Sequence, residues 1–151
     1  MTQFDKRNLS MMMDFYEMTM SHGYFHGGYG DVRVAFDLFF RSVPDKGGYA
    51  VFAGLEHVIE FVENLAFSDA DIDYFRAQNL FSEEFLTFLR GFRFRGDIYA
   101  VPEGTIIYPD EPLMTIVAPI IDAQLIETAV LAQINHQSLI ATKASRIVRA
   151  A

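Results

Sequence analysis

GDIYAVPEGTIIYPDEPLMTIV, residues 96 to 117, decides the class of the fold. Its period is two, that of an extended chain, in three runs: GDIYAV, TIIY and LMTIV. PEG and PDEP separate the runs, and Pro102 with Gly104, then Pro109 with Pro112, provide the backbone angles of tight turns. The stretch predicts a three-stranded antiparallel meander. Around it the pattern is mainly helical, so helices and strands are segregated along the chain and the expected class is α+β.

Upstream, VRVAFDLFFR at 32 to 41 places Val32, Val34, Phe36, Leu38 and Phe40 on one face. Ala35 and Phe39 leave the other face largely apolar, which predicts an internal strand covered on both sides. Arg41 ends it, where a guanidinium either forks onto a phosphate or carboxylate or is a solvated strand end. Lys46, Gly47 and Gly48 form a turn before Val51, Leu55, Val58, Ile59, Val62 and Leu65, and read as the opening of a helix without a nucleotide-loop spacing. Three helix starts share one device, an apolar residue, a polar cap and a second apolar residue: Phe67, Ser68, Ile72; Phe81, Ser82, Leu86; Ile121, Asp122, Ile126. Asp69, Glu83 and Glu84 lie in first turns, where the helix dipole favours acids, so they need no catalytic role.

Downstream, one helix is expected over Asp122 to Ile134 and, after NHQ, a second over SLIATKASRIVRAA to the last residue. Lys143, Arg146 and Arg149 recur every third position with no acid after Glu127. Such a stripe is a candidate phosphate site or a solvated helix face. No glycine, asparagine or proline ends the pattern at Ala150 and Ala151, so the helix is expected to continue in a longer protein.

The 151 residues suffice for one domain with a real core, and 51% hydrophobic with 15% aromatic residues rules out a disordered chain. The net charge of -8 argues against nucleic acid and anionic membranes as partners. Absence of cysteine fits a reducing compartment, and no segment reads as a membrane span or leader, so a cytoplasmic location is expected.

MMMDFYEMTM, residues 11 to 20, sets Asp14 and Tyr16 in an apolar run. In one reading Leu9, Met12, Met13, Tyr16 and Met20 form a buried stripe with Asp14 and Glu17 in water, Asn8 or Ser10 capping the helix. In the other, an irregular helix start lets Asp14 and Tyr16 face one pocket. SHGYFHGGYGD follows at 21 to 31, and its four glycines are read as ending the helix in a mobile loop. His22 and His26 have the spacing of metal ligands, but no third ligand accompanies them and no metal site is assigned.

Taken together, DFYEMTM at 14 to 20, FDLFFR at 36 to 41, GGYAVFAGLE at 47 to 56, FRGDIYAVPEGTIIYPDEPLM at 94 to 114 and LIETAVLAQINHQSLIATKASRIV at 125 to 148 resemble the nicotinate phosphoribosyltransferase family. The resemblance implies a type II phosphoribosyltransferase: an N-terminal α/β sandwich domain, assigned to residues 1–135, leading into an irregular β/α barrel begun by residues 136–151 and mostly absent. It implies a homodimer with shared active sites that joins nicotinate to phosphoribosyl pyrophosphate, giving nicotinate mononucleotide and pyrophosphate in NAD biosynthesis, coupled to ATP hydrolysis with Mg2+.

By direct match, Asp14 and Tyr16 are implied to reach the pyridine pocket of the other subunit. Arg41 resembles a phosphate contact, with Lys143 and Arg146 matched more loosely. No residue here is assigned a catalytic role. Met13 stands where the family usually has threonine, and His136 does not match the histidine that the family phosphorylates. The chain by itself is expected to be inactive, lacking a companion barrel segment. The alternatives are a non-catalytic dimerisation module and transfer to quinolinate or nicotinamide on a related fold.

Overall fold

The computed structural model describes residues 9–43 and 47–151. Along the chain run α1 (Phe15–His26), β1 (Arg33–Leu38), β2 (Ala50–Val51), α2 (Leu55–Asn64), α3 (Asp69–Ala77) and α4 (Glu83–Arg90). They are followed by β3 (Asp97–Ala100), β4 (Ile106–Ile107), β5 (Met114–Pro119), α5 (Ile120–Gln124) and α6 (Glu127–Ala150). The mixture of helices and antiparallel strands agrees with the α+β expectation. The expected domain boundary at 135/136 falls inside α6, which has no break there.

Strand β5 is central. It pairs antiparallel with β1, Arg33 opposite Pro119 and Leu38 opposite Met114, and with β3, Asp97 opposite Val117 and Ala100 opposite Met114. The three-run stretch is therefore not a meander. Its middle run leaves the sheet and pairs as β4 with β2, Ala50 opposite Ile107. The turn between them accounts for the departure: Glu103 Oε1 accepts the Gly54 amide at 2.8 Å, and Gly104 N donates to Phe52 O at 2.8 Å. A carboxylate at the start of α2 suits that helix's positive end and carries the whole PEG turn with it.

Strand β1 is an edge strand among the described residues, not an internal one. Val34, Phe36 and Leu38 turn inward as the alternation predicts, but Arg33, Ala35 and Asp37 are exposed. The outer face is polar because its side chains bond across the strands: Thr115 Oγ1 donates to Asp37 at 2.6 Å, and Arg33 reaches over β5 to Asp97 at 3.1 Å.

The caps at Ser68 and Ser82 form as read. Ser68 makes a reciprocal capping box with Asp71, and Ser82 accepts the Phe85 amide at 3.2 Å. The third is different. Asp122 lies inside α5, fully buried, and accepts from Arg95 N at 2.8 Å and Arg95 Nη2 at 3.0 Å. The glycine turn before Tyr49 likewise leads into strand β2; α2 opens only at Leu55, on Gly54 with φ 107°. A β-carbon on Gly54 would stand 3.1 Å from the Gln133 carbonyl of α6, so α2 and α6 cross at a distance only glycine permits.

The two helices expected around NHQ are one. Ser138 and Thr142, both buried, face the unpaired edge of β2: Thr142 Oγ1 accepts Val51 N at 2.8 Å and Ser138 Oγ accepts Ala53 N at 3.0 Å. Ser138, just beyond the NHQ stretch read as a break, and Thr142 thus serve as a substitute strand. Below them, α3 and α4 enclose a ladder of rings, with Phe75 to Phe81 at 5.7 Å, Phe81 to Phe85 at 5.9 Å and Phe88 to Phe92 at 6.1 Å between centroids.

Replacing Ser138 by Ala strands the half-buried Ala53 amide, and Thr142→Val does the same to the Val51 amide. Each substitution is expected to lower unfolding stability by about 1–3 kcal/mol, read as the urea midpoint. Midpoints within error of the parent would remove the helix from the role of strand partner.

Candidate functional site

Asp14 occupies the N-cap position of α1 with φ −76° and ψ 143°, an extended residue ahead of a helix that begins at Phe15. The irregular start that a joint role of Asp14 and Tyr16 requires is therefore present, although the Asp14 side chain makes no cap bond. Ser10 is no cap either: its hydroxyl donates to Ala66 O at 2.7 Å, and Asn8 lies outside the described residues.

The buried-stripe reading holds in part: Asp14 is exposed and Met12 and Met13 pack against the core, whereas Leu9, Tyr16, Met20 and Glu17 are reversed. Glu17, Met18 and Ser21 face inward, while Tyr16 is 44% and Met20 40% exposed. An acid points into the core because donors await it there: Glu17 Oε1 accepts from Thr128 N at 2.8 Å and from the Thr128 hydroxyl. The α6 N-cap residue is Ile126, whose side chain can accept nothing, so Glu17 satisfies a helix-start amide from 111 residues away. Desolvation raises the Glu17 carboxyl above its ordinary value, opposed by the Thr128 bonds.

One residue back on each helix, the Tyr16 hydroxyl faces the Glu127 carboxylate. Its pKa is pushed up to about 12, first by burial, then by the neighbouring Glu127 acceptor and the charges of Glu127, Glu17 and Asp14. The phenol keeps its proton at neutral pH. Gln124 Nε2 donates to Glu127 Oε2 at 2.7 Å and holds the carboxylate from behind. Glu127 also edges a groove of about 410 Å³ with Phe36, Asp37, Leu38, Val130 and Leu131. Asp37 and Glu127 put two carboxylates into its otherwise largely apolar lining.

The candidate cations lie elsewhere. Lys143 and Arg146 are 16 and 19 residues beyond Glu127 on one helix, about 24 and 28 Å along its axis at 1.5 Å per residue. Tyr16 and these two cations therefore do not meet around one small molecule within a chain. Arg146 Nη2 donates to Tyr49 O at 3.2 Å, and its guanidinium and that of Arg149 lie 5.7 and 5.6 Å from the Tyr49 ring centroid. A β-carbon on Gly47 would sit 1.8 Å from Arg146 Nη2, so the glycine lets the arginine lie across this segment. Tyr49, absent from the sequence-based candidates, bonds Ser145 Oγ at 3.2 Å, which with Arg149 and Arg146 lowers its hydroxyl's pKa. Lys143 and Arg41 are exposed, and among the described residues no hydrogen bond or ion pair holds either.

Helix α1 passes through Gly23 and ends only at His26, so the glycine run does not begin a loop at residue 21. Its two histidines share one partner: Ser82 N donates to His22 Nε2 at 3.2 Å, and His26 Nε2 lies 3.0 Å from Ser82 Oγ. Their rings meet edge to face at 4.5 Å. Among the described residues no three His, Asp or Glu side chains converge as metal ligands.

Residues 11–135 match the family model described as the nicotinate phosphoribosyltransferase (NAPRTase) N-terminal domain. A nicotinate phosphoribosyltransferase of Mycobacterium tuberculosis is 46% identical over 142 residues, 94% of this chain and 30% of the relative. One from Bacillus subtilis is 44% identical over 144 residues, 95% and 29% respectively. The crystal structure of human nicotinic acid phosphoribosyltransferase superposes with a TM-score of 0.83 at 32% identity, covering 89% of this chain and 27% of that one. Nicotinate-nucleotide pyrophosphorylase from Pyrococcus furiosus shares the fold, with a TM-score of 0.60 and 21% identity. The chain spans about 30% of the length of the curated relatives it matches.

His22 titrates below its ordinary value because burial and the neighbouring His26 disfavour its charged form. The folded chain then binds this proton more weakly than the unfolded one, so the His22 contribution is full above pH 6.5 and falls as pH drops through 6.5 toward the lower folded value. Glu17, raised from 4.5, acts in the opposite sense: its contribution is full below 4.5 and is lost as pH rises through its folded value. The urea-midpoint gap between the parent and His22→Gln is expected to narrow from pH 7.5 to 5.5, both roughly chosen to bracket the histidine range. A constant gap would mean that the His22–Ser82 bond does not titrate in this range.

Proposed function

The chain belongs to the nicotinate phosphoribosyltransferase family, and from that premise we propose that it contributes part of the active site of an enzyme joining nicotinate to phosphoribosyl pyrophosphate. The products are nicotinate mononucleotide and pyrophosphate, a step of NAD biosynthesis in the cytoplasm, with ATP and Mg2+ bound by parts of the relatives that these residues do not span. The observation that carries this reading is an exposed Tyr16 facing Glu127, a residue that lines a largely apolar groove, within a segment matched to the family.

In this reading Tyr16 presents its ring face to the pyridine, with Asp14 beside it on the extended residue that precedes the helix. Arg41, Lys143 and Arg146 serve the phosphates. The separation along α6 supports a homodimer with shared active sites, in which Tyr16 of one chain and the cations of another line one site. Residues 1–135 make up the N-terminal sandwich domain, and 136–151 lead toward the barrel. Attack by the ring nitrogen on the anomeric carbon then requires a fixed flat ring and positive charge for the departing pyrophosphate.

A second reading, a non-catalytic dimerisation module, is favoured by the apolar exposure of Ile140, Ile147 and Val148 on α6, at 55%, 61% and 75%. Sedimentation of the 151-residue chain tests it: the module reading expects a dimer, and a monomer at high concentration would dismiss it.

The enzymatic reading is tested in a chimera in which this chain replaces the matching segment of the Bacillus subtilis relative. It is expected to form nicotinate mononucleotide with nicotinate, and not the corresponding product with nicotinamide or quinolinate. In it Tyr16→Ala is expected to raise the KM for nicotinate about tenfold, the scale of a lost aromatic contact, without lowering Tm. A folded chimera inactive on all three pyridines would sink the reading.

A further inference from the structure

Helix α6 meets the chain around β2 in a register that neither segment shows alone. Ser138 accepts from Ala53 N, Thr142 accepts from Val51 N, and Arg146 Nη2 donates to Tyr49 O. Each step of four residues along the helix is thus matched by a step of two residues back along the extended chain. Four helical residues advance about 6 Å and two extended residues about 6.6 Å, so the contacts stay in phase from Ser138 to Arg146. Arg146 is the last rung of this ladder. Its guanidinium lies across Gly47, where a β-carbon would stand 1.8 Å from Nη2, and against the ring of Tyr49. A guanidinium has more donors than the bond to Tyr49 O uses, so being a rung does not exclude binding an anion.

One turn further along α6, Arg149 comes to the same ring, its guanidinium 5.6 Å from the centroid against 5.7 Å for Arg146. Arg149 is exposed, and among the described residues no hydrogen bond or ion pair holds it. Lys143, Arg146 and Arg149 set like charges one turn apart with no acid after Glu127, an arrangement that by itself destabilises a helix. A ring face offsets part of that cost for the two arginines, and a bound anion would offset more. We propose that Tyr49 gathers Arg146 and Arg149 into one anion site, in which Arg149 is a second contact for a phosphate or pyrophosphate group. The ring that brings them together is itself held from behind: the Tyr49 hydroxyl lies 3.2 Å from Ser145 Oγ, which donates to Thr142 O at 2.8 Å. A carboxylate has oxygens for one guanidinium fork, whereas a phosphate or pyrophosphate has enough to engage both.

The identity of the natural anion rests on the function proposed above; the site itself does not. The first measurement titrates the 151-residue chain, its arginines labelled with 15N, with inorganic pyrophosphate. The Nε–Hε signals of Arg146 and Arg149 are assigned with Arg146→Lys and Arg149→Lys. Both signals are expected to move and saturate together. Arg149→Gln is expected to weaken pyrophosphate about tenfold, the scale of a lost charged hydrogen bond. Arg90→Gln, which removes an equal charge on α4, is expected to leave the affinity at the parent value. Tyr49→Leu is expected to shift both arginine signals toward that of free arginine and to weaken binding, and Tyr49→Phe, which keeps the ring, to do neither. A parent chain whose Arg149 signal ignores pyrophosphate overturns the proposal, as does parent affinity in Arg149→Gln or in folded Tyr49→Leu. Should Tyr49→Leu fail to fold, Arg149→Gln at its exposed position decides.

In the chimera, Arg149→Gln is expected to raise the KM for phosphoribosyl pyrophosphate about tenfold while the KM for nicotinate stays within about twofold, as loss of a contact to one substrate does. If Arg149→Gln weakens pyrophosphate on the 151-residue chain and leaves that KM unchanged, the anion site stands and its assignment to phosphoribosyl pyrophosphate falls.

Discussion

Two hydroxyls on one helix hold the β2–β4 half of this fold in place. Strand β2 is two residues long and pairs only with the equally short β4; a two-stranded ribbon of that size does not stand alone in water. Ser138 and Thr142 of α6 supply acceptors to its open edge, at Ala53 and Val51. Because α6 is thereby fixed against β2, its N-terminal turn is fixed too, and with it the position at which Glu127 and Thr128 meet α1.

The same device recurs at several of this chain's polar side chains. Asp122 accepts the Arg95 amide, Glu17 the Thr128 amide, Ser138 the Ala53 amide and, less deeply, Glu103 the Gly54 amide. Each satisfies a backbone group at a strand edge, a helix start or a bend, where regular structure leaves donors unpaired. At one place a capped helix start stands next to a phenol and a carboxylate, Tyr16 and Glu127.

This pattern explains what could be read before the structure was seen. Ser68 and Ser82 were legible because their bonds close within three residues, and the inward turn of Val34, Phe36 and Leu38 was legible because period two is a local property. Asp122 has the same cap-like neighbourhood but serves a residue 27 positions away, and nothing in Ile121 to Ile126 points to Arg95. Glu17 looked solvent-facing for the same reason, its partner being in another helix. Tyr16 and Asp14 stood out through the motif, not through periodicity, which placed Tyr16 in the core. Arg146 was legible as a cation; its seat over Tyr49 and Gly47 was not, since both precede it by nearly a hundred positions.

The Glu17–Thr128 bond also imposes an order of events on folding. It closes a separation of 111 residues, so the Glu17 side of α1 is not sealed until Thr128 is available. The caps of α3 and α4 and their aromatic ladder are local and can form while the polypeptide is still being made. Glu17 is thus encoded near the beginning and satisfied near the end, and before that Met18, Glu17 and Ser21 present an unsealed helix face to whatever binds nascent chains.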